Sequence, residues 1–159
     1  MKQGNLSKWL KIIIVGTVLC LLIVYTLIIP DLGSSLVLNA PEFSNCYIPW
    51  LAFIGLTSVP ILIALVFAWK IAVNIGRDHS FSIENSNYLK WISWLAIIDS
   101  AYFFIGNLVL MLLNMNHAGI MLVSLIAVFI GIAVSVASAA LSHLVFKAAD
   151  LQEQNDLTI

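Results

Sequence analysis

The fold is decided by the stretch GIMLVSLIAVFIGIAVSVASAALSHLVF, residues 119–146, which contains no Asp, Glu, Lys or Arg. An α-helix rises about 1.5 Å per residue, so about 20 apolar residues cross a hydrocarbon layer that is about 30 Å thick. Three further apolar runs reach or approach that length, at residues 12–29, 48–73 and 91–113. The sequence therefore predicts an all-α integral membrane four-helix bundle, a single domain over residues 1–159 with a short C-terminal tail.

The composition excludes a water-soluble globular protein. Of the 159 residues, 62% are apolar and only 9% are charged, whereas soluble domains are near half apolar and a quarter charged. The first run follows three lysines, as the core of a signal peptide would, but it is too long and no small-x-small cleavage site follows it. We therefore expect the first run to remain as a membrane span.

The basic residues predict the orientation of the spans. All seven lie in or beside the N-terminal segment, the second connection and the C-terminal tail: Lys2, Lys8, Lys11, Lys70, Arg77, Lys90 and Lys147. The first connection, residues 30–47, and the third, residues 114–118, contain none. Basic residues accumulate in cytoplasmic loops, so the sequence predicts that both termini are cytoplasmic.

One acidic residue lies inside a predicted span. Counted from Trp91, Asp99 is about 12 Å deep, where a carboxylate costs about 3 kcal/mol on insertion scales. The same count of helix rise places Ser138 and Ser142 of the antiparallel fourth span around that depth, and His143 nearer the surface. Two interpretations stay open: a polar clamp between the third and fourth spans, or a proton or ion relay.

Small residues mark a contact surface on the fourth span. Gly131, Ser135 and Ala139 are four residues apart, so they form one stripe along a helix, and such a stripe allows two backbones to approach closely. The stripe could serve packing within one chain or between two copies, so a homo-oligomer remains an alternative.

The second connection contains a predicted helix start. Ser82 is a candidate N-cap, with Glu84 near the positive end of the new helix and Asn85 at the third position. Phe81, just before the cap, could pack back on this first turn. The helix would then run into the third span.

The sequence predicts no catalytic, cofactor-binding or metal site, and we expect a protein that is not an enzyme. The two cysteines and three histidines are scattered, without the spacing of metal ligands. No helix-turn-helix pattern or basic stripe interleaved with aromatic residues is present, so we expect no direct binding of nucleic acid.

Two segments together resemble the YoaS-like family of bacterial membrane proteins, DUF2975. They are FSIEN, residues 81–85, followed by LKWI into the third span, and the C-terminal ADLQEQNDLTI, residues 149–159. The resemblance implies a four-span protein of the bacterial cytoplasmic membrane, without a known enzymatic activity or cofactor. It also implies a partner, because members are commonly encoded beside a small cytoplasmic helix-turn-helix regulator of the Xre/Cro type.

The two motifs lie on the predicted cytoplasmic side, where we expect one docking surface for such a regulator. Its candidate residues are Phe81, Ser82, Glu84, Asn85, Asp150, Leu151, Glu153, Asn155, Asp156, Leu157 and Ile159. The leading hypothesis is a regulatory membrane protein that sequesters a helix-turn-helix transcription regulator. The alternative is a small transporter, channel or toxin-immunity protein that uses Asp99 in the bundle interior.

Overall fold

The computed structural model describes residues 3–39, 41–116 and 118–156, and this part of the chain is helical without a strand. Its elements are α1 (Gln3–Ile23), a π-helical segment (Val24–Ile28), α2 (Ile29–Asn39), a 3₁₀ helix (Pro41–Cys46), α3 (Tyr47–Gly76), α4 (Ile83–Leu112) and α5 (Ala118–Asp156). Four continuous stretches are long and apolar enough to cross a membrane: Gly4–Asn39, Ser44–Gly76, Ile83–Leu112 and Gly119–Asn155. The prediction of an all-helical chain with four apolar spans is confirmed.

The first helix is longer than the sequence suggested, because it does not stop at Pro30. Pro30 is the second residue of α2, and the wider π-helical segment runs into that helix without a break. Proline removes one backbone hydrogen bond from such a continuous helix. Beyond Pro30, Gly33 touches the start of α3. A Cβ atom at Gly33 would lie 2.7 Å from the Tyr47 ring and 2.9 Å from the Trp50 ring. The 18-residue loop expected at residues 30–47 is therefore mostly helical.

The spans pack in chain order as an open row. The α1 helix packs on α3, α3 on α4, and α4 on α5, and within the described residues no other two of these helices share more than a marginal contact. Apolar burial is correspondingly small, since only Ala72, Leu110 and Ala149 are buried apolar residues in the described chain. Most apolar side chains are left for lipid to cover.

One end of the row, named here the basic end, holds the α3–α4 loop and both described chain ends. Ser7 near the start of α1 donates its hydroxyl to the Ala72 carbonyl of α3 at 2.6 Å. The described basic residues lie on the segments of this end: Lys8, Lys11, Lys70, Arg77, Lys90 and Lys147. Lys11 is 5.7 Å from the centre of the Trp69 ring. The basic end carries most of the polar residues considered next, and Asp99 lies deeper in the row.

Candidate functional site

The seam between α4 and α5 is built on paired serines. Ser86 donates to the Ser142 carbonyl at 2.9 Å, and Ser142 donates back to the Ser86 carbonyl at 2.7 Å. Two turns deeper, Ser135 donates to the Ser93 carbonyl at 2.9 Å. Because hydroxyl-to-carbonyl bonds demand close backbones, small residues are required along this seam. The bonds set an antiparallel register in which Ser142 lies beside Ser86.

The predicted small-residue stripe is confirmed as a packing surface within the chain. A Cβ atom at Gly131 would lie only 2.1 Å from the Ser100 hydroxyl oxygen, and Ser135 bonds across the seam. Ala139, the third member, lines a groove beside the seam. The stripe therefore serves the contact between α4 and α5 within one chain.

The same register does not bring Asp99 together with the polar residues expected near it. Ser142 pairs with Ser86, which lies about three and a half helical turns before Asp99. His143 is exposed beside that pair, and Ser138 is one turn away along α5. The depth count began at Trp91, whereas α4 begins at Ile83 and α5 extends beyond residue 146. The expected clamp of Asp99 with Ser138, Ser142 or His143 is absent from this geometry.

Asp99 lies instead near two tyrosines, Tyr25 of the π-helical segment and Tyr102 of α4. It is close enough to Tyr25 and Tyr102 for electrostatic interaction. Tyr25, in the π-helical segment, shares a 2.6 Å hydrogen bond with Thr57, and Tyr102 donates to the Phe53 carbonyl at 3.3 Å. The Oδ1 atom of Asp99 is buried without a hydrogen-bond partner among the described residues. A lone carboxyl oxygen at membrane depth marks a candidate functional position.

The predicted start of the third span is confirmed at the basic end. Ser82 has extended backbone angles (φ −132°, ψ 150°), and its hydroxyl accepts the Asn85 N–H at 3.2 Å. Glu84 occupies the first turn, where the helix dipole favours a negative charge. Its carboxylate accepts hydrogen bonds from the Tyr88 hydroxyl and, at 3.2 Å, from the Asn74 amide. Glu84 is exposed, so this carboxylate is available at the surface.

Asn85, predicted to be part of the docking surface, is instead buried under the α3–α4 loop. Only 1% of the residue is exposed, and its amide donates to the His79 carbonyl at 3.0 Å and the Ser80 carbonyl at 3.1 Å. Its side-chain oxygen accepts from Asn74 at 2.9 Å. Asp78 turns the chain in the left-handed region (φ 62°), which Asp adopts more readily than most residues. Asn85 therefore holds the loop together from inside and cannot itself contact a partner.

Exposed apolar side chains lie at the end of this loop and on the C-terminal part of α5. Phe81 is 60% exposed and Ile83 47%, so Phe81 covers the first turn only partly. At the C-terminal side, α5 continues as a helix to Asp156 instead of fraying after the span. Leu151 on this extension is 57% exposed. Of the predicted docking residues on this extension, Asp150, Glu153 and Asn155 are also exposed. Asp156 is the last residue of α5, and Leu157 and Ile159 lie outside the described residues.

A groove of about 510 Å³ opens beside the α4–α5 seam at the basic end. It is lined by Ser86, Asn87, Lys90, Ser93, Trp94, Ala139, Ser142, His143 and Phe146. In the sequence-based prediction Lys90 served only to orient the spans, and Trp94 was given no binding role. Their spacing of four residues, which places both on one helix face, was the available signal that they act together.

Comparison with known proteins gives the family but no activity. A family model described as a protein of unknown function, DUF2975, matches residues 32–159. The chain is 32% identical over 126 residues to the uncharacterized membrane protein YoaS of Bacillus subtilis (strain 168), which covers 76% of this chain and 79% of that protein. No solved structure matches the chain. With four apolar helices and a family match over most of its length, this multi-pass membrane protein belongs to the DUF2975 family.

Proposed function

We propose that this chain is a non-enzymatic regulatory protein of the bacterial cytoplasmic membrane that binds a small helix-turn-helix regulator at its basic end. The observation that carries the proposal is the exposure of Phe81 and Leu151. Phe81 precedes α4, and Leu151 follows the stretch 119–146 that contains no charged residue. Phe81 stands beside a loop that Asn85 fixes internally, so it is presented on an ordered surface. The proposal takes these two side chains as the apolar contact points for the partner.

The orientation supports this placement. The described basic residues lie at the end that holds the α3–α4 loop and both chain ends, and positive residues favour the cytoplasmic side. The proposal therefore places both termini and the surface around Phe81 and Leu151 in the cytoplasm. A soluble regulator would meet them there without crossing the membrane.

The charge of the α5 extension favours a basic partner. Asp150 and Glu153 are exposed on it, and anionic lipid repels an acidic segment, so this helix should project from the membrane. A helix-turn-helix regulator carries a basic face that binds phosphates, and an acidic helix complements such a face. The same acidic charge disfavours direct contact with nucleic acid. Binding would keep the regulator away from its operator.

The test is co-purification of the neighbouring helix-turn-helix regulator with the full-length protein and its variants. A chain ending at Ala149 and the variant Leu151→Ser should recover less regulator than the wild type, whereas Gln152→Ser, which changes the adjacent exposed residue, should recover as much. Phe81→Ser tests the loop in the same way. If the shortened chain recovers as much regulator as the wild type, the α5 extension has no part in binding. If no form of the protein recovers the regulator, the proposal is wrong.

A second candidate function rests on Asp99. Its buried Oδ1 atom has no hydrogen-bond partner among the described residues, and an intramembrane carboxyl group of this kind is a common element of ion and proton pathways. Under this alternative the protein is a small transporter, a channel or a toxin-immunity protein. Asp99→Asn should then abolish ion flux into proteoliposomes, or protection of cells. An unchanged flux or protection would count against it.

A further inference from the structure

The groove beside the α4–α5 seam is lined by both polar and aromatic side chains, which suit an amphipathic ligand. Lys90 rises from α4 and His143 from α5, so the two face the groove from opposite helices. Trp94 and Phe146, 55% and 48% exposed, line it with aromatic surface. A volume of about 510 Å³ is within the range of sites that hold small ligands.

Some polar groups that line the groove are free to bind. Lys90 and His143 make no hydrogen bond or ion pair with another described residue, and no acidic side chain lines the groove. The hydroxyl hydrogens of Ser86 and Ser142 are committed to each other's carbonyl across the seam. These serines therefore shape the groove, while the Lys90 ammonium, the His143 imidazole and the Asn87 amide supply its unused donors.

We propose that this groove binds the headgroup of an anionic phospholipid. The phosphate would pair with the Lys90 ammonium and accept a hydrogen bond from the His143 ring, while the glycerol and upper acyl carbons would lie on Trp94 and Phe146. Basic pockets between spans bind anionic headgroups in this way, and Trp prefers the depth of the headgroups. Aromatic surface and donors in one groove favour a ligand with an apolar part and an anionic part, and free phosphate has only the second.

The two acidic residues that flank the groove on α4 and α5, Glu84 and Asp150, do not line it. Glu84 is about 9 Å from Lys90 along α4, and its carboxylate accepts from Tyr88 and Asn74. Asp150 is on the same face of α5 but about 10 Å farther along the helix from His143, and its carboxylate accepts from the Gln154 amide at 3.1 Å. The groove thus keeps a net positive character at the depth where a phosphate would lie. The site does not depend on the proposed regulator.

The test measures binding of short-chain phosphatidylglycerol and, as the zwitterionic comparison, short-chain phosphatidylcholine to the full-length protein in detergent. Wild type should bind phosphatidylglycerol more tightly. Lys90→Gln should weaken that binding about fivefold, the contribution of one basic residue at an anionic surface, and His143→Gln should weaken it also. Lys8→Gln is the matched control, because it removes an exposed lysine of the same end on α1, away from the groove.

Three results would overturn the proposal: equal affinity for the two lipids, the same loss in Lys8→Gln as in Lys90→Gln, or full competition by glycerol phosphate, which would mean a site for soluble phosphate. Thermal unfolding of each variant checks that it is folded. If Lys90→Gln does not fold, the comparison of His143→Gln with Lys8→Gln decides the matter alone.

Discussion

Replacing Asn85 with alanine should open the α3–α4 loop while leaving the spans in place. The Asn85 side chain makes three hydrogen bonds, to the carbonyls of His79 and Ser80 and from the amide of Asn74. Each bond contributes about 0.5–1.5 kcal/mol net, and a buried polar group left unpaired costs about 1–3 kcal/mol. Alanine leaves two loop carbonyls without their donor. We expect the closed loop to lose about 2–4 kcal/mol relative to its open form.

Trypsin reports this loss, because Arg77 is exposed at the start of the loop. Cleavage of a transiently opened segment follows the population of the open form when opening is fast. A loss of 2 kcal/mol raises that population about 30-fold, so cleavage after Arg77 should accelerate by about that factor or more. The fragment that ends at Arg77 identifies the site by mass.

Asn87→Ala is the control, since Asn87 is two residues away on the same helix, is exposed and makes none of these loop bonds. It should be cleaved at the wild-type rate. Cleavage of Asn85→Ala at the rate of Asn87→Ala would refute the role given to Asn85. It would also undo the inference that Phe81 is presented on a fixed loop.

Three further predictions concern the spans. Ser142→Ala should lower the free energy of unfolding by about 0.5–1.5 kcal/mol in thermal unfolding, while Ser58→Ala, whose hydroxyl bonds within its own helix, should change it less; equal losses would argue against a stabilising seam. Asp99→Leu should raise stability by about 1–3 kcal/mol, because it removes an unpaired buried oxygen; a fall would mean that the carboxyl has a stabilising partner. A membrane-impermeant maleimide should label Cys46 on intact cells, and Leu151→Cys only after lysis; the reverse pattern would invert the orientation.

Features that depend on one segment were predictable from the sequence. The four spans follow from apolar length, and the Ser82 cap follows from a serine with a helix-forming segment behind it. The small-residue stripe was also recognisable, because the spacing of Gly131 and Ser135 needs no knowledge of the partner helix. In each case local chemistry determines the outcome, and tertiary contacts only reinforce it.

Features that depend on two segments were not predictable. The register of α4 against α5 is set by serine bonds such as Ser86 with Ser142, and a depth count from Trp91 cannot detect them. It therefore placed Asp99 beside the wrong residues. The role of Asn85 depends on where the carbonyls of the preceding loop point. The first helix continues past Pro30 to a point where Gly33 packs against the rings of Tyr47 and Trp50. These rings belong to α3, so the sequence around Pro30 alone does not reveal the contact.

Photo-crosslinking in living cells tests most directly whether the basic end binds a regulator. A photoreactive amino acid would replace Leu151 on the α5 extension, and in a second strain Leu122, which is 67% exposed near the other end of α5. The account predicts an adduct at position 151 whose partner mass spectrometry identifies as a helix-turn-helix protein, with no such adduct at position 122. The absence of that adduct at position 151, or its appearance at both positions, would contradict the account.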